Sequence, residues 1–166
     1  YDVIMVDAYQ DITIPFQMSS VEFFTMVKEH LNENGVMVVN MNMRGNNEGN
    51  INQYLSDTIA SVFDHIVTVD VDGSTNRELY ASSNADMVKT LENNANETGH
   101  SDLRDMMLHV ADTSSVYEAG DYIMTDDKAP VELLGMQVID QLIQGEVAYY
   151  KDIFEKDGIN GLLESL

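Results

Sequence analysis

Two short apolar runs, Val3-Ile4-Met5-Val6 and Val36-Met37-Val38-Val39, bracket a stretch with helical periodicity, and that arrangement limits the fold more than any other feature. Both runs are rich in β-branched residues at consecutive positions, the pattern of strands buried on both faces of a parallel sheet. Between them Ser19 or Ser20 can cap a helix, with Glu22 in its first turn, where the helix dipole favours negative charge. Val21, Phe24, Val27 and Leu31 recur at three- and four-residue spacing, and Asn34-Gly35 ends the element. A strand, a helix and a second strand of this kind form a crossover unit whose strands run parallel. Asp7 closes the first strand. In open α/β sheets ligands bind in the crevice outside the carboxyl ends of the strands, so Asp7 is either a ligand-facing carboxylate or a cap for the turn that follows.

Further along, Arg44 to Asn50 is a polar loop whose glycines lack the setting of a phosphate cradle. A helix is expected over Ile51–Phe63, with Ile51, Leu55 and Ile59 on one face. His65–Val71 and Arg77–Ser82 read as strands joined by a tight turn at Asp72-Gly73, which forces them antiparallel. Residues Asn84–Thr98 suggest a helix with Met87, Val88 and Leu91 inward, and Ser101 caps another over Asp102–Val110. A short extended segment, Asp121–Pro130, ends in a turn. From Val131 the chain is helical in three pieces: one with Val131, Leu134, Val138 and Leu142 on a face, one around Tyr149, Ile153 and Phe154, and a last one after Asp157-Gly158. The expectation is one partial α/β domain over residues 1–166, with a sheet-forming part at 1–83 and a mainly helical part at 84–166.

Asp and Glu number 29 against 8 Lys and Arg, a formal net charge of -21 spread over most of the chain. Such a surface repels phosphates, so neither nucleic acid nor an anionic membrane is an expected partner, while a small cationic substrate is compatible with it. There is no cysteine, which excludes disulfides and thiol catalysis, and the four histidines lack metal-ligand spacing, so no metal is expected. No apolar run approaches the roughly 18 residues of a membrane helix and no signal peptide opens the chain, which points to the cytoplasm. The chain opens inside a strand, as a fragment of a longer protein would. The outer edge of that strand is expected to be covered by self-association, giving a homo-oligomer, or by another segment.

The run Asp7-Ala8-Tyr9-Gln10-Asp11, through Ile14-Pro15 to Glu22-Phe23-Phe24, then Leu31, Gly35 and Val36 to Asn40, resembles the second half of the spermidine synthase-like family of aminopropyltransferases. Thr125-Asp126-Asp127-Lys128-Ala129-Pro130-Val131-Glu132 is similar to a segment near the C-terminus of a divergent branch of that family. The resemblance covers about the first half of the chain plus this segment. It implies the C-terminal half of a methyltransferase-like Rossmann fold: a mostly parallel sheet ending in an antiparallel hairpin, with extra C-terminal helices. The implied activity of the intact enzyme is transfer of an aminopropyl group from decarboxylated S-adenosylmethionine to a polyamine acceptor.

That chemistry brings a cationic donor beside an amine that must lose a proton, and carboxylates serve as base and counter-charge. The resemblance makes Asp7 the catalytic carboxylate and places Tyr9, Gln10, Asp11, Asp126 and Asp127 against the substrate. Ala8 and Pro15 would lie against the co-substrate, decarboxylated S-adenosylmethionine or S-adenosylmethionine. Gln10 stands where the family has a second acid, and Asp11 where it has a proline; an amide can hydrogen-bond but cannot act as a base. Residues Thr125 or Asp126 can equally end a loop and cap the following helix, with Pro130 in its first turn. The glycine-rich turn that holds the nucleoside in Rossmann enzymes does not occur, so the chain as it stands is expected to bind S-adenosyl compounds weakly or not at all. Two rival readings are a non-catalytic, truncated Rossmann-like module acting through self-association, and an S-adenosylmethionine-dependent methyltransferase.

Overall fold

The computed structural model describes residues 1–7, 14–41 and 48–165. Among them, strands β1 (Val3–Val6), β2 (Val36–Met41), β3 (His65–Asp70), β4 (Arg77–Ser82) and β5 (Ser115–Val116) form one sheet in the order β1-β2-β4-β3-β5. The helices are α1 (Val21–His30), α2 (Ile51–Ala60), α3 (Met87–Glu97), α4 (Ser101–Thr113) and α5 (Val131–Ser165), and a single 3-10 turn, Phe16–Met18, precedes α1.

The opening crossover unit forms as its pattern dictates. Ser20 caps α1, its hydroxyl accepting from the Phe23 N–H at 3.2 Å. At the other end the Tyr1 nitrogen donates to the His30 carbonyl at 2.6 Å, and the Asn32 N–H donates to the Tyr1 carbonyl at 2.8 Å. These bonds fix the end of α1 beside the start of β1, so the start of α1 lies toward the end of β1 that carries Asp7. Gly35 is required by close approach: a Cβ there would stand 2.9 Å from the Tyr1 carbonyl oxygen and 3.0 Å from Leu31 Cδ2. From Gly35 the chain enters β2, which pairs parallel with β1 from Val3↔Val36 to Val6↔Val39.

The β3–β4 hairpin turns through Gly73, whose φ of 69° is costly for any residue with a Cβ. Its second strand does not extend the sheet outward. It inserts between β2 and β3 and runs antiparallel to both, so β1, β2 and β3 are mutually parallel. The sheet is thus mixed, with β1–β2 parallel and the other three pairings antiparallel; the α/β class and the closing antiparallel hairpin expected of a methyltransferase-like Rossmann fold hold. The two-residue β5, from the mainly helical part, adds an antiparallel edge to β3.

One face of the sheet carries the core. Val6, Met37, Val39, Met41, Leu79 and Ala81 pack there against Phe24 and Val27 of α1 and Leu55 and Ile59 of α2. The other face departs from the expectation that β1 and β2 are buried on both sides. Val3 and Met5 are 57% and 71% exposed, on the side of the sheet where α3 and α4 lie, α4 against β3. Between those helices and the strands lies a mostly apolar cavity of about 390 Å³, lined among others by Val3, Val38, Tyr80, Met87, Leu91 and Val110.

The C-terminal region is helical in two pieces rather than three: the break expected at Asp157-Gly158 is present at Gly158, whose backbone is non-helical with φ 63°, while the first two expected pieces run on as one. Val131 and Leu134 anchor α5 in the core, while Ile143, Val147 and Phe154 are exposed. No helix among the described residues is long and apolar enough to cross a membrane.

Candidate active site

Asp7 stands just past the carboxyl end of β1 and is exposed. It shares a sheet face with Asn40 of β2, whose Nδ2 donates to Asp7 Oδ1 at 3.3 Å. Strand register then places Glu78 of β4 directly opposite Asn40. Residues opposed in an antiparallel pair carry their side chains on the same face, about 5 Å apart at Cβ. Burial first, and the Asp7 charge second, push the Glu78 carboxyl above its ordinary range. Tyr80, two residues on, is likewise raised, by burial and then by Glu78. Three parallel or inserted strands thus bring two interacting carboxyl groups and an amide to one edge. Sequence reading singled out Asp7 alone. The only advance signal for Glu78 was its place at the start of a predicted strand, and nothing in the text tells which strand that one would pair with.

The second cluster gathers at the start of α1. The Val21 N–H donates to the Met124 carbonyl at 2.9 Å, and the Asp126 N–H donates to Glu22 Oε2 at 3.0 Å. The Ser20 hydroxyl donates to Asp126 Oδ1 while still capping Phe23. Thr125 and Lys128 close a two-residue hairpin with reciprocal backbone bonds of 3.1 and 2.9 Å, which puts Asp126 and Asp127 at its tip. The acidic segment therefore clips the start of α1 rather than capping the helix that follows it, α5. Asp127 is exposed, and Pro15 is half-buried beside the fully buried Ile14. Removing the clip with Ser20→Ala is expected to cost about 1–2 kcal/mol, since both a cap and a carboxylate bond are lost. Urea denaturation of Ser20→Ala, Asp126→Ala and the double variant checks this; the single costs should sum to more than the double.

A third set of contacts holds the strap that leads to this clip. Asp57 of α2, fully buried, accepts from the Tyr117 hydroxyl at 2.6 Å, the Gly120 N–H at 3.0 Å and the Tyr122 N–H at 3.1 Å. Burial and then the Asp57 carboxylate push the Tyr117 hydroxyl well above its ordinary range. Next to it, Thr58 Oγ1 donates to the Tyr54 carbonyl at 2.6 Å and accepts from the Met124 N–H at 3.0 Å. Tyr54 and Tyr122 stack with ring centroids 4.8 Å apart, and the Tyr122 hydroxyl donates to Glu48 at 3.4 Å.

Of the residues singled out in the sequence, Asp7, Pro15, Asp126 and Asp127 are placed in this way. Ala8, Tyr9, Gln10 and Asp11 lie outside the described residues. Among the described residues no group of three or more His, Asp or Glu side chains is arranged to hold a metal ion.

No family model matches the chain. It is 52% identical, over an alignment of 183 positions covering all of it, to a probable polyamine aminopropyl transferase of Bifidobacterium longum (strain NCC 2705). The chain spans 41% of the length of that curated relative. Among solved structures it is similar to human methyltransferase-like protein 13 in complex with SAH (TM-score 0.46, 17% identity, 71% of this chain and 51% of that one). It is also similar to a probable spermidine synthase from Corynebacterium glutamicum (TM-score 0.38, 17% identity, 75% of this chain and 50% of that one).

Proposed function

Over its whole length the chain is homologous to part of a polyamine aminopropyl transferase, which makes it a spermidine synthase-like chain, and from that premise we propose that it forms the acceptor side of an aminopropyl-transfer site in the intact protein. The observation that carries this reading is the position of Asp7, at the carboxyl edge of β1 with the Asn40 amide turned onto it. The donor is decarboxylated S-adenosylmethionine, and the acceptor is a polyamine.

In the transfer, the lone pair of a neutral amine attacks the methylene beside the sulfonium. The carbon–sulfur bond breaks, its electron pair returns to sulfur, and a neutral thioether leaves. The attacking nitrogen must shed one proton, and Asp7 takes it or holds the cation until solvent does. Asp7 at the end of β1, and Glu22, Asp126 and Asp127 at the start of α1, are carboxylates compatible with a cationic substrate, and a formal net charge of -21 favours the approach of a cation at low ionic strength. An uncharged carboxamide at Gln10 leaves Asp7 as the carboxylate of that motif suited to the base role.

The test is a donor comparison on the full-length protein. Calorimetry with decarboxylated S-adenosylmethionine and with S-adenosylmethionine, followed by chromatography of the reaction with a diamine, should give micromolar binding of the former and a thioether product. Methyl transfer from S-adenosylmethionine instead would replace this reading with a methyltransferase. The bare edge of β1 favours a second reading of this chain by itself, an association module; a folded oligomer in light scattering that binds neither donor would support it.

A further inference from the structure

The carboxamide of Asn40 is half used. Its Nδ2 donates to Asp7, yet its Oδ1 is buried and has no hydrogen-bond partner. A buried carbonyl oxygen left unpaired costs about 1–3 kcal/mol, so a donor is expected beside it. Flipping the amide does not help, because it would turn an oxygen onto the Asp7 carboxylate. The cross-strand neighbour of Asn40 is Glu78, on the same face. An ionised carboxylate offers only acceptors, whereas the protonated acid offers one O–H.

We infer that Glu78 is the positioning residue for Asp7: as the neutral acid it donates its proton to Asn40 Oδ1, and so locks the amide with its N–H groups turned to Asp7. The direction in which the Glu78 carboxyl is shifted agrees with this, since burial and the Asp7 charge both favour its protonated form. Among the described residues, the titratable groups that act on Glu78 or face it are Asp7, just past β1, and Tyr80 of β4; β2 offers Asn40, and β3 offers Val69, its register partner. The amide that faces Asp7 is thus oriented by a proton held on Glu78, across Asn40.

The significance for catalysis rests on the proposed role of Asp7, but the linkage itself does not, and its test needs no turnover. The Asn40 side-chain amide signals are followed by NMR from acid to neutral pH in this chain. In the unsubstituted chain they should show an upper step that follows the Glu78 carboxyl, raised above its ordinary range. Glu78→Gln supplies a permanent N–H donor to Oδ1, so the upper step should vanish and the signals should stay where the protonated form has them. Glu78→Ala supplies none, and exchange of the Asn40 amide hydrogens should rise roughly fivefold, as one lost hydrogen bond allows. Asp7→Asn should bring the upper step down toward the ordinary carboxylate range. An upper step that persists in Glu78→Gln, or identical behaviour of the glutamine and alanine variants, overturns the inference. Failure of aminopropyl transfer in the intact protein would leave this result untouched.

Discussion

Asp57→Ala is expected to lower the unfolding free energy by about 3–5 kcal/mol, the largest loss from any single polar side chain in this fold. Three donors converge on the Asp57 carboxylate: the Tyr117 hydroxyl and the Gly120 and Tyr122 N–H groups. Alanine leaves all three unpaired near a fully buried position, and each orphaned donor costs about 1–3 kcal/mol, less whatever water recovers. For a domain whose total stability is on the order of 5–15 kcal/mol, that is a large fraction. Asp57→Asn should fall between, since the amide keeps one acceptor oxygen but presents an N–H where a donor already points. Urea denaturation followed by circular dichroism reads both. A shift of the midpoint worth less than about 1 kcal/mol would mean that the strap from Tyr117 to Met124 is not held through Asp57.

The same carboxylate explains why residue 120 is glycine. A Cβ at that position would lie 2.5 Å from Asp57 Oδ2, inside any tolerable contact, so the backbone can come close enough to donate only if it carries no side chain. Asp57 and Thr58, adjacent on α2, thereby fasten the whole strap that ends in the Thr125–Lys128 hairpin, and the hairpin in turn clips the start of α1. Loss of Asp57 should consequently loosen the edge near Asp7 as well as the strap.

The sequence carried the local elements well because their signals are local. The period of Val21, Phe24 and Val27, the Ser20 cap and the turn at Gly73 each specify their own few residues, and β2, β3 and β4 form within a residue of the expected bounds, while α1 starts at its expected cap but ends at His30, short of Asn34-Gly35. What it could not carry was pairing. A tight turn makes β3 and β4 antiparallel, but insertion of β4 between β2 and β3 depends on contacts far apart in the chain, and with it went the position of Glu78. Burial of polar groups was equally hidden. Helical period assigned Ile51, Leu55 and Ile59 to the core and is silent on Asp57, and among 29 acidic residues nothing in the pattern marks this fully buried one. The expected burial of β1 on both faces failed for a related reason. An apolar strand records that something covers it, and Val3 and Met5 lie bare within the described residues. The acidic hairpin at Asp126 was legible as a motif, while its partner, the start of α1, lies about a hundred residues away, where only the fold could bring it.

Asp7→Asn in the full-length protein is expected to reduce aminopropyl transfer by about 10³-fold, in the range that a positioned general base contributes. The substitution keeps the shape of the side chain and removes both its basicity and its charge. Asp7 is exposed and its bond to Asn40 is long, at 3.3 Å, so the fold should hold and unfolding midpoints should scarcely move. Donor binding should survive too, since Asp7 is proposed on the acceptor side of the site. The loss is therefore expected in kcat, with KM for the donor little changed, and it should be steepest near neutral pH, where the acceptor amine is almost wholly protonated. Raising the pH supplies neutral amine without help from the enzyme, so the gap between the variant and the parent should narrow as the solution becomes more alkaline. Thioether release measured across that pH range reads the effect. A variant within tenfold of the parent at neutral pH would remove Asp7 from the transfer centre and return it to the role of a turn cap, while a uniform loss at every pH would make it a counter-charge for the cationic substrates and leave proton removal to solvent.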